Sequence, residues 1–296
     1  MEQATQEKTP PTGAGTKPET ETARKYRLTD ECIEHEGFKL FRIQALIDFG
    51  NFEAGDLGGF IETEDHLDQA GAAWVMGDAK VYNRARVFDD AIVAGNAEVH
   101  GDACISGNAV IRDHAIIGDN ALVQGFAEIR DKAQIRGHAS VGEFATVSDT
   151  AKVFGEVYIY GEACICDNAS IYGNARIFGR ARVFDNACVS GTSSTVGAMV
   201  YDGAKVEGDT HLDTYAQIRG KADIYSDNDF FTIHKMGSHR ATLTAFKQSD
   251  GTIGVSRGCF FGTLDEFEEA VIKEHGNNSY AQEYLLAIPL IKKRLG

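Results

Sequence analysis

The chain has 296 residues, with 44 Asp and Glu against 29 Lys and Arg, for a formal net charge of −15. That balance argues against a basic nucleic-acid-binding surface and against attraction to an anionic membrane. Glycine stands at 32 and proline at four, which excludes collagen and proline-rich disorder.

Residues 1–24 carry three of the four prolines, six threonines and no aromatic residue. Such a composition cannot bury apolar area and predicts a disordered tail. It also lacks the apolar stretch of a signal peptide. No apolar run in the chain reaches the roughly 18–20 residues that span a bilayer, so no membrane partner is expected. The six cysteines form no C-x-x-C pair and no disulfide framework, so the expectation is a cytoplasmic protein with reduced thiols.

Residues 25–70 read as a β-rich cap in which 11 acids outnumber four bases. Glu36-Gly37 supplies a hairpin turn before the apolar run from Phe38 to Phe49. Gly55, Gly58 and Gly59 mark turns before Phe60-Ile61.

Residues 71–225 are an internal repeat of six, as in G-N-A-E-V-H (95–100) and G-N-A-R-I-F (173–178). Alanine recurs every sixth residue from Ala79 to Ala151 and again from Ala163 to Ala187, with Val or Ile two residues later. Two inward residues two apart are the alternation of a β-strand, and Gly, Asn or Asp fills the turn that must follow at once. A period of 18 overlies the six. One corner reads Gly95, Asp113, Asp131, Asp149, Asp167 and Asp185. A second reads Gly101, Asp119, Gly137, Gly155, Gly173 and Gly191, and a third Gly107, Gly125, Glu143, Gly161, Gly179 and Gly197. Gly191 to Tyr201 spans 11 residues, one short of two hexads, and a one-residue deletion there would continue the first corner at Asp202. The prediction is a triangular prism of three hexads per coil and about nine coils, with parallel strands stacked about 4.8 Å apart.

After Tyr225 the hexads stop. Strands are expected at 230–233, 241–246 and 252–255, with Asp250-Gly251 as a hairpin turn. Thr263-Leu264-Asp265-Glu266 is a capping box that opens a helix to about His275, and a second helix runs from about Ser279 to Arg294, with Pro289 expected to kink it. The chain thus divides into a tail (1–24), an N-terminal cap (25–70), a repeat prism (71–225) and a small α+β module (226–296).

The hexads resemble those of the left-handed parallel β-helix proteins with hexapeptide repeats. Their aliphatic residue followed four later by a small one is matched by Val99 to Ala103 and Ile177 to Ala181. The left hand comes from this resemblance alone. K-Y-R-L (25–28), the run D-F-G-N-F-E-A-G-D-L-G-G-F-I-E (48–62) and A-W-V-M (73–76) look like a bacterial and prophage group whose members carry acetyltransferase or hexapeptide-transferase labels. C-F-F-G-T-L-D-E-F (259–267) looks like a module of its phage-associated members. The resemblance implies a homotrimer that binds an acyl-coenzyme A thioester between prisms and uses a histidine as general base.

The outward histidines of the prism are His100, His114 and His138, of which the turn residues His114 and His138 are the candidates for that base. Neither has a patterned carboxylate partner beyond Asp113 beside His114. The ladder Asp113, Asp131, Asp149, Asp167, Asp185 and Asp202 places carboxylates on one edge, where calcium is the hard cation such an array would take. The competing reading is turn chemistry, because Asp tolerates positive φ and bonds nearby amides. Phe154, Tyr160, Tyr172, Phe178 and Phe184 follow inward residues, face outward and predict an oligomer interface. In the C-terminal module, His239, Arg240, Arg257 and Cys259 flank the strands that lead to the Thr263 helix start. They form a candidate site for a small anionic ligand, or a Cys259–His239 nucleophilic pair.

Three readings stand. The first is a non-catalytic β-helix scaffold or binding protein, oligomeric and acting on a host protein or small ligand if phage-borne. The second is an acyl-coenzyme A-dependent acyltransferase. The third is a metal- or anion-binding protein using the Asp ladder or the C-terminal arginines.

Overall fold

The computed structural model describes residues 24–191, 197–212 and 215–296. The tail expected to be disordered lies, through residue 23, outside them. Strands β1 (Tyr26–His35) and β2 (Phe38–Ala45) pair antiparallel through a turn at Glu36-Gly37, where φ is +49° and +85°. Two successive positive-φ residues match the right-handed strand twist of a tight hairpin. Strand β3 (Leu57–Ile61) pairs antiparallel with β2 and parallel with Lys80-Val81. It therefore belongs to the hairpin and to the first rung of the solenoid alike.

From there the chain winds as a parallel β-solenoid with three sheets as its faces. Face one runs from β3 to His211-Leu212, face two from Trp74-Val75 to Asp223-Ile224, and face three from Arg86-Val87 to Gln217–Arg219. Face two has nine strands, one per coil, so at about 4.8 Å per step the solenoid is about 38 Å long. Partners lie 18 residues apart, as in Val81↔Val99 and Ile111↔Ile129. The inward alanine of each hexad and the Val or Ile after it are fully buried, forming one continuous core. Each strand donates to the next coil, as Glu98 N–H does to Ala115 O at 2.9 Å. A proline in that ladder would delete a donor, which accounts for their absence from the coils.

The register break differs from the sequence expectation. Ile177 pairs with Val200 and Val183 with Val206, steps of 23 residues. The coil has five residues more than 18 instead of one fewer, and positions 192–196 lie outside the described residues. Asp185 is therefore followed by Gly208, whose N–H donates to the Asp185 carboxylate at 3.2 Å. Asp202 instead sits beneath Gly179, with its carbonyl accepting from Arg180 N–H at 2.5 Å. This corrects two placements: Asp202 leaves the Asp ladder, and it, not Gly197, continues the Gly179 corner.

Both ends of the core are closed. At the top, Tyr26, Phe49 and Phe52 pack around Trp74 with ring centroids 5.2–6.1 Å apart. The Lys25 ammonium is buried there and donates to the carbonyls of Ala70, Gly71 and Ala73 at 3.1, 3.4 and 3.0 Å. These are carbonyls of the first coil, which has no coil above it to use them. At the bottom lies an antiparallel sheet of four strands, Phe230–Met236, Ala241–Lys247, Ile253–Arg257 and Phe260–Thr263. Its alternation serves two cores. Phe246 enters the solenoid core, and Thr244 and Ser256 on the same face bond to Gln217 of the last coil. Leu243, Ala245 and Val255 face α1 (Leu264–His275) and α2 (Ser279–Leu295). Helix α2 runs through Pro289 without a break. Among the described residues, no helix is long and apolar enough to cross a membrane.

Candidate functional site

The corners decide what the acidic ladder can do. Asp113, Asp131, Asp149, Asp167 and Asp185 have φ between +55° and +62°, a conformation L-residues avoid unless a side chain compensates. Here the compensation is a rung. Asp113 accepts from Asp131 N–H, Asp131 from Asp149 and Asp149 from Asp167, all at 3.3 Å, and Asp167 accepts from Asp185 at 3.2 Å. Asp89, Asp119 and Glu143 do the same for the glycine N–H of the next coil, at 3.0, 2.9 and 2.8 Å. Arg112 and Arg130 also pair with Asp113 and Asp131, at 2.8 and 2.6 Å. The carboxylates therefore point along the prism as coil-to-coil acceptors. Among the described residues, no group of three or more His, Cys, Asp or Glu is arranged to hold a metal.

His114 and His138 are exposed turn residues, and the Asp113 carboxylate beside His114 is committed to Arg112 and the Asp131 amide. His100 is the histidine the prism shapes. It is half-buried, stacks on Tyr82 at 5.5 Å and lies over Gly118, where a Cβ would come within 2.6 Å of its ring. Burial and, secondarily, Arg136 push its pKa below the ordinary value, which keeps the ring neutral at pH 7.

The five outward aromatics fall on three different faces. Phe154 and Tyr172 stack on face one at 5.3 Å and 6°. Tyr160 and Phe178 belong to face three, where Phe178 stacks on Tyr201 at 4.8 Å and Arg219 bridges Tyr201 and Phe261 at 4.6 and 4.5 Å. Phe184 is half-buried beside face two. A further stack, Phe126 on Phe144 at 5.1 Å and 4°, is 56% and 61% exposed. The spacing of 18 between them was a signal that the sequence reading did not use.

The C-terminal residues divide. His239, Arg257 and Cys259 line one cleft of about 660 Å³, together with Phe260, Phe267, Val271, Lys273, His275 and Tyr284. Arg240 is an exposed turn residue outside it. Thr263 is consumed as the α1 N-cap: its hydroxyl accepts from Glu266 N–H, and its own N–H donates to the Glu266 carboxylate at 2.7 Å. Helix α1 lines the cleft from Phe267 to His275 and not through its first turn. Ser238 Oγ and His239 Nδ1 form a hydrogen-bonded pair at 3.1 Å, and among the described residues no hydrogen bond joins His239 to the exposed Cys259.

Arg257 and Tyr284 form the polar floor of this cleft. The Arg257 guanidinium lies 5.3 Å from the Tyr284 ring and donates through Nη2 to Met236 O at 3.1 Å. Its Nε and the Tyr284 hydroxyl are buried without a partner. Burial pushes the Tyr284 phenol above its ordinary value, so it remains a hydroxyl at pH 7. Gly237, with φ of +64°, leaves the room that both need, because a Cβ there would lie 1.9 Å from the hydroxyl and 2.9 Å from Nη2. Tyr284 reads from helical periodicity as a core residue, and it is 2% exposed. Nothing in the spacing says that this core residue also lines a cleft. Compared with known proteins, the chain matches no family model and no curated sequence.

Proposed function

We propose that the chain is a non-catalytic binding protein in which the solenoid is a scaffold and the C-terminal cleft takes a small anionic ligand. One observation carries this reading. An arginine without an ion pair among the described residues and a tyrosine hydroxyl without a partner share one cleft floor. Buried polar groups left unmade cost free energy, and an anion would complete both. Thermal-shift titration of the full chain with small anions tests it. A stabilisation that Arg257→Gln abolishes supports the reading, and no shift with any anion removes it.

The rings of Phe154, Tyr172 and Phe178 on two faces, with the Phe126/Phe144 stack, favour a homo-oligomer, and a trimer accords with the resemblance to hexapeptide-repeat β-helix proteins. Light scattering that returns a strict monomer would remove it. The same resemblance supports an acyltransferase of a phage or prophage group. The uncommitted His114 and His138 weigh against it, and titration calorimetry with coenzyme A decides. Cytoplasmic placement accords with six free thiols.

A further inference from the structure

We infer that the ligand of the C-terminal cleft is an amphipathic monocarboxylate, its carboxylate on Arg257 and Tyr284 and its apolar body against Phe260, Phe267 and Val271. The inference rests on the anion-binding reading and goes further by choosing among anions.

The volume, about 660 Å³, suits a small molecule larger than a free inorganic ion. The polar contacts on offer are few and grouped. Arg257 lines the cleft with no ion pair among the described residues, its Nε and the Tyr284 hydroxyl are both buried and partnerless, and the hydroxyl and Nη2 meet at the open Cβ position of Gly237. A planar carboxylate that enters far enough to part the side chains covering them can accept from guanidinium and hydroxyl together, since guanidinium N–H groups match carboxylate geometry. Beyond this floor the walls turn apolar. Phe260 and Phe267 pack edge to face at 5.3 Å, and Phe267 meets Tyr284 in the same way at 5.5 Å. A phosphate would leave these walls unmatched.

Charge selects in the same direction. The rim carries Lys273 against Glu274, which leaves Arg257 as the uncompensated charge among the lining Lys, Arg and Glu residues. Part of the α1 lining, Lys273 to His275, is a helix C-terminus, whose carbonyl end disfavours added negative charge. A monoanion meets one guanidinium at less cost than a dianion would. The helix N-terminus that could hold phosphate is closed by Thr263 and Glu266.

The test is calorimetric titration of the full chain at pH 7 with phenylacetate, octanoate, acetate, inorganic phosphate and the neutral isostere 2-phenylethanol. Phenylacetate or octanoate is expected to bind, with acetate, phosphate and the alcohol at least about tenfold weaker, the loss of one charged hydrogen-bonding group or of the apolar body. Arg257→Gln should weaken the carboxylate about ten- to hundredfold. Tyr284→Phe, which keeps ring and packing, should weaken it about five- to tenfold. Circular dichroism and melting temperature check that both variants fold, and Tyr284→Phe keeps the test open if Arg257→Gln does not. Phosphate binding as well as or better than phenylacetate would overturn the monocarboxylate and leave the anion-binding reading standing. Alcohol binding equal to phenylacetate would overturn both, as would carboxylate binding that neither variant alters. A peptide ending in Phe that binds far more tightly than phenylacetate, and loses this on amidation, would overturn the small-acid source.

Discussion

Lys25 offers a sharp test of how the open end of the solenoid is sealed. The residue is 2% exposed, and its ammonium meets three carbonyls of the first coil. Burial outweighs the attraction of Asp68 and Asp90, so its pKa falls from 10.5 to about 8. Below pH 8 the lysine is charged in the folded and unfolded chain alike, and folding bears the full desolvation cost. Between pH 8 and 10.5 the folded chain releases the proton while the unfolded chain keeps it, so stability rises with pH in that window. The slope approaches about 1.4 kcal/mol per pH unit, and integration from pH 7 to pH 9.5 gives about 2 kcal/mol. The comparison is between the native chain and Lys25→Met, so that other titrating groups cancel. Urea unfolding followed by fluorescence suits it, because Trp74 is the sole tryptophan and packs in the same top cluster. The native chain should gain about 2 kcal/mol on the variant between the two pH values. A difference that stays constant or shrinks would refute the view that desolvation dominates and show that the carbonyls hold the charged form.

Further outcomes follow from the corners, the lower seal and the surface. Asp149→Ala removes the acceptor for Asp167 N–H and leaves Ala at positive φ, for a loss of about 2–4 kcal/mol in urea unfolding. Asp149→Gly should lose less, because only the rung goes. Gly173→Ala sets a Cβ 1.8 Å from Gly191 O at φ of +68°, so the variant should lose more than about 3 kcal/mol or fail to fold, as its circular-dichroism melt would show. Phe246→Ala opens the lower end of the core and should cost about 3–5 kcal/mol. Cys164 should alkylate first among the cysteines and at a lower pH than an ordinary thiol. The neighbouring Cys166 thiol, then Arg182 and Arg130, lower its pKa, and Cys166→Ala should move the profile upward.

The repeat was legible because both of its signals are steric. Inward Ala and Val are dictated by the narrow prism, and corner Gly or Asp by positive φ. The period of 18 could be read because the three corners differ. The break after Gly191 was misread because a hexad pattern cannot distinguish one residue lost from five gained. Physical closure can: a 17-residue coil would have to shorten one side of the triangle, whereas extra residues at a corner leave every strand in register at little cost in loop entropy. Ile177↔Val200 and Val183↔Val206 hold that register on two faces at once. The site was half legible. Arg257, His239 and Cys259 were found from a local run of polar residues. Tyr284 and Lys273 arrive from helices 14 or more residues away, and only tertiary packing brings them to the same floor.

The charge of −15 can now be divided by role. Among the described residues, every non-glycine corner of the coils between Asp89 and Asp202 that holds positive φ is acidic, and most of those carboxylates accept the amide N–H at the same corner of the next coil. Glycine solves the same backbone problem without charge, as at Gly155 and Gly173, but supplies no acceptor. An acidic corner therefore trades charge repulsion between coils for a charge-assisted hydrogen bond. Adjacent unit charges about 4.8 Å apart repel by about 1 kcal/mol in water, whereas a hydrogen bond to a charged group is worth about 1.5–3 kcal/mol. The bond wins at each rung, and Arg112 and Arg130 offset part of the repulsion on the upper rungs. The acidity of the prism thus follows from holding its coils in register. The C-terminal cleft proposed to take an anion is lined by none of those corner residues, and Arg257 is its positive group.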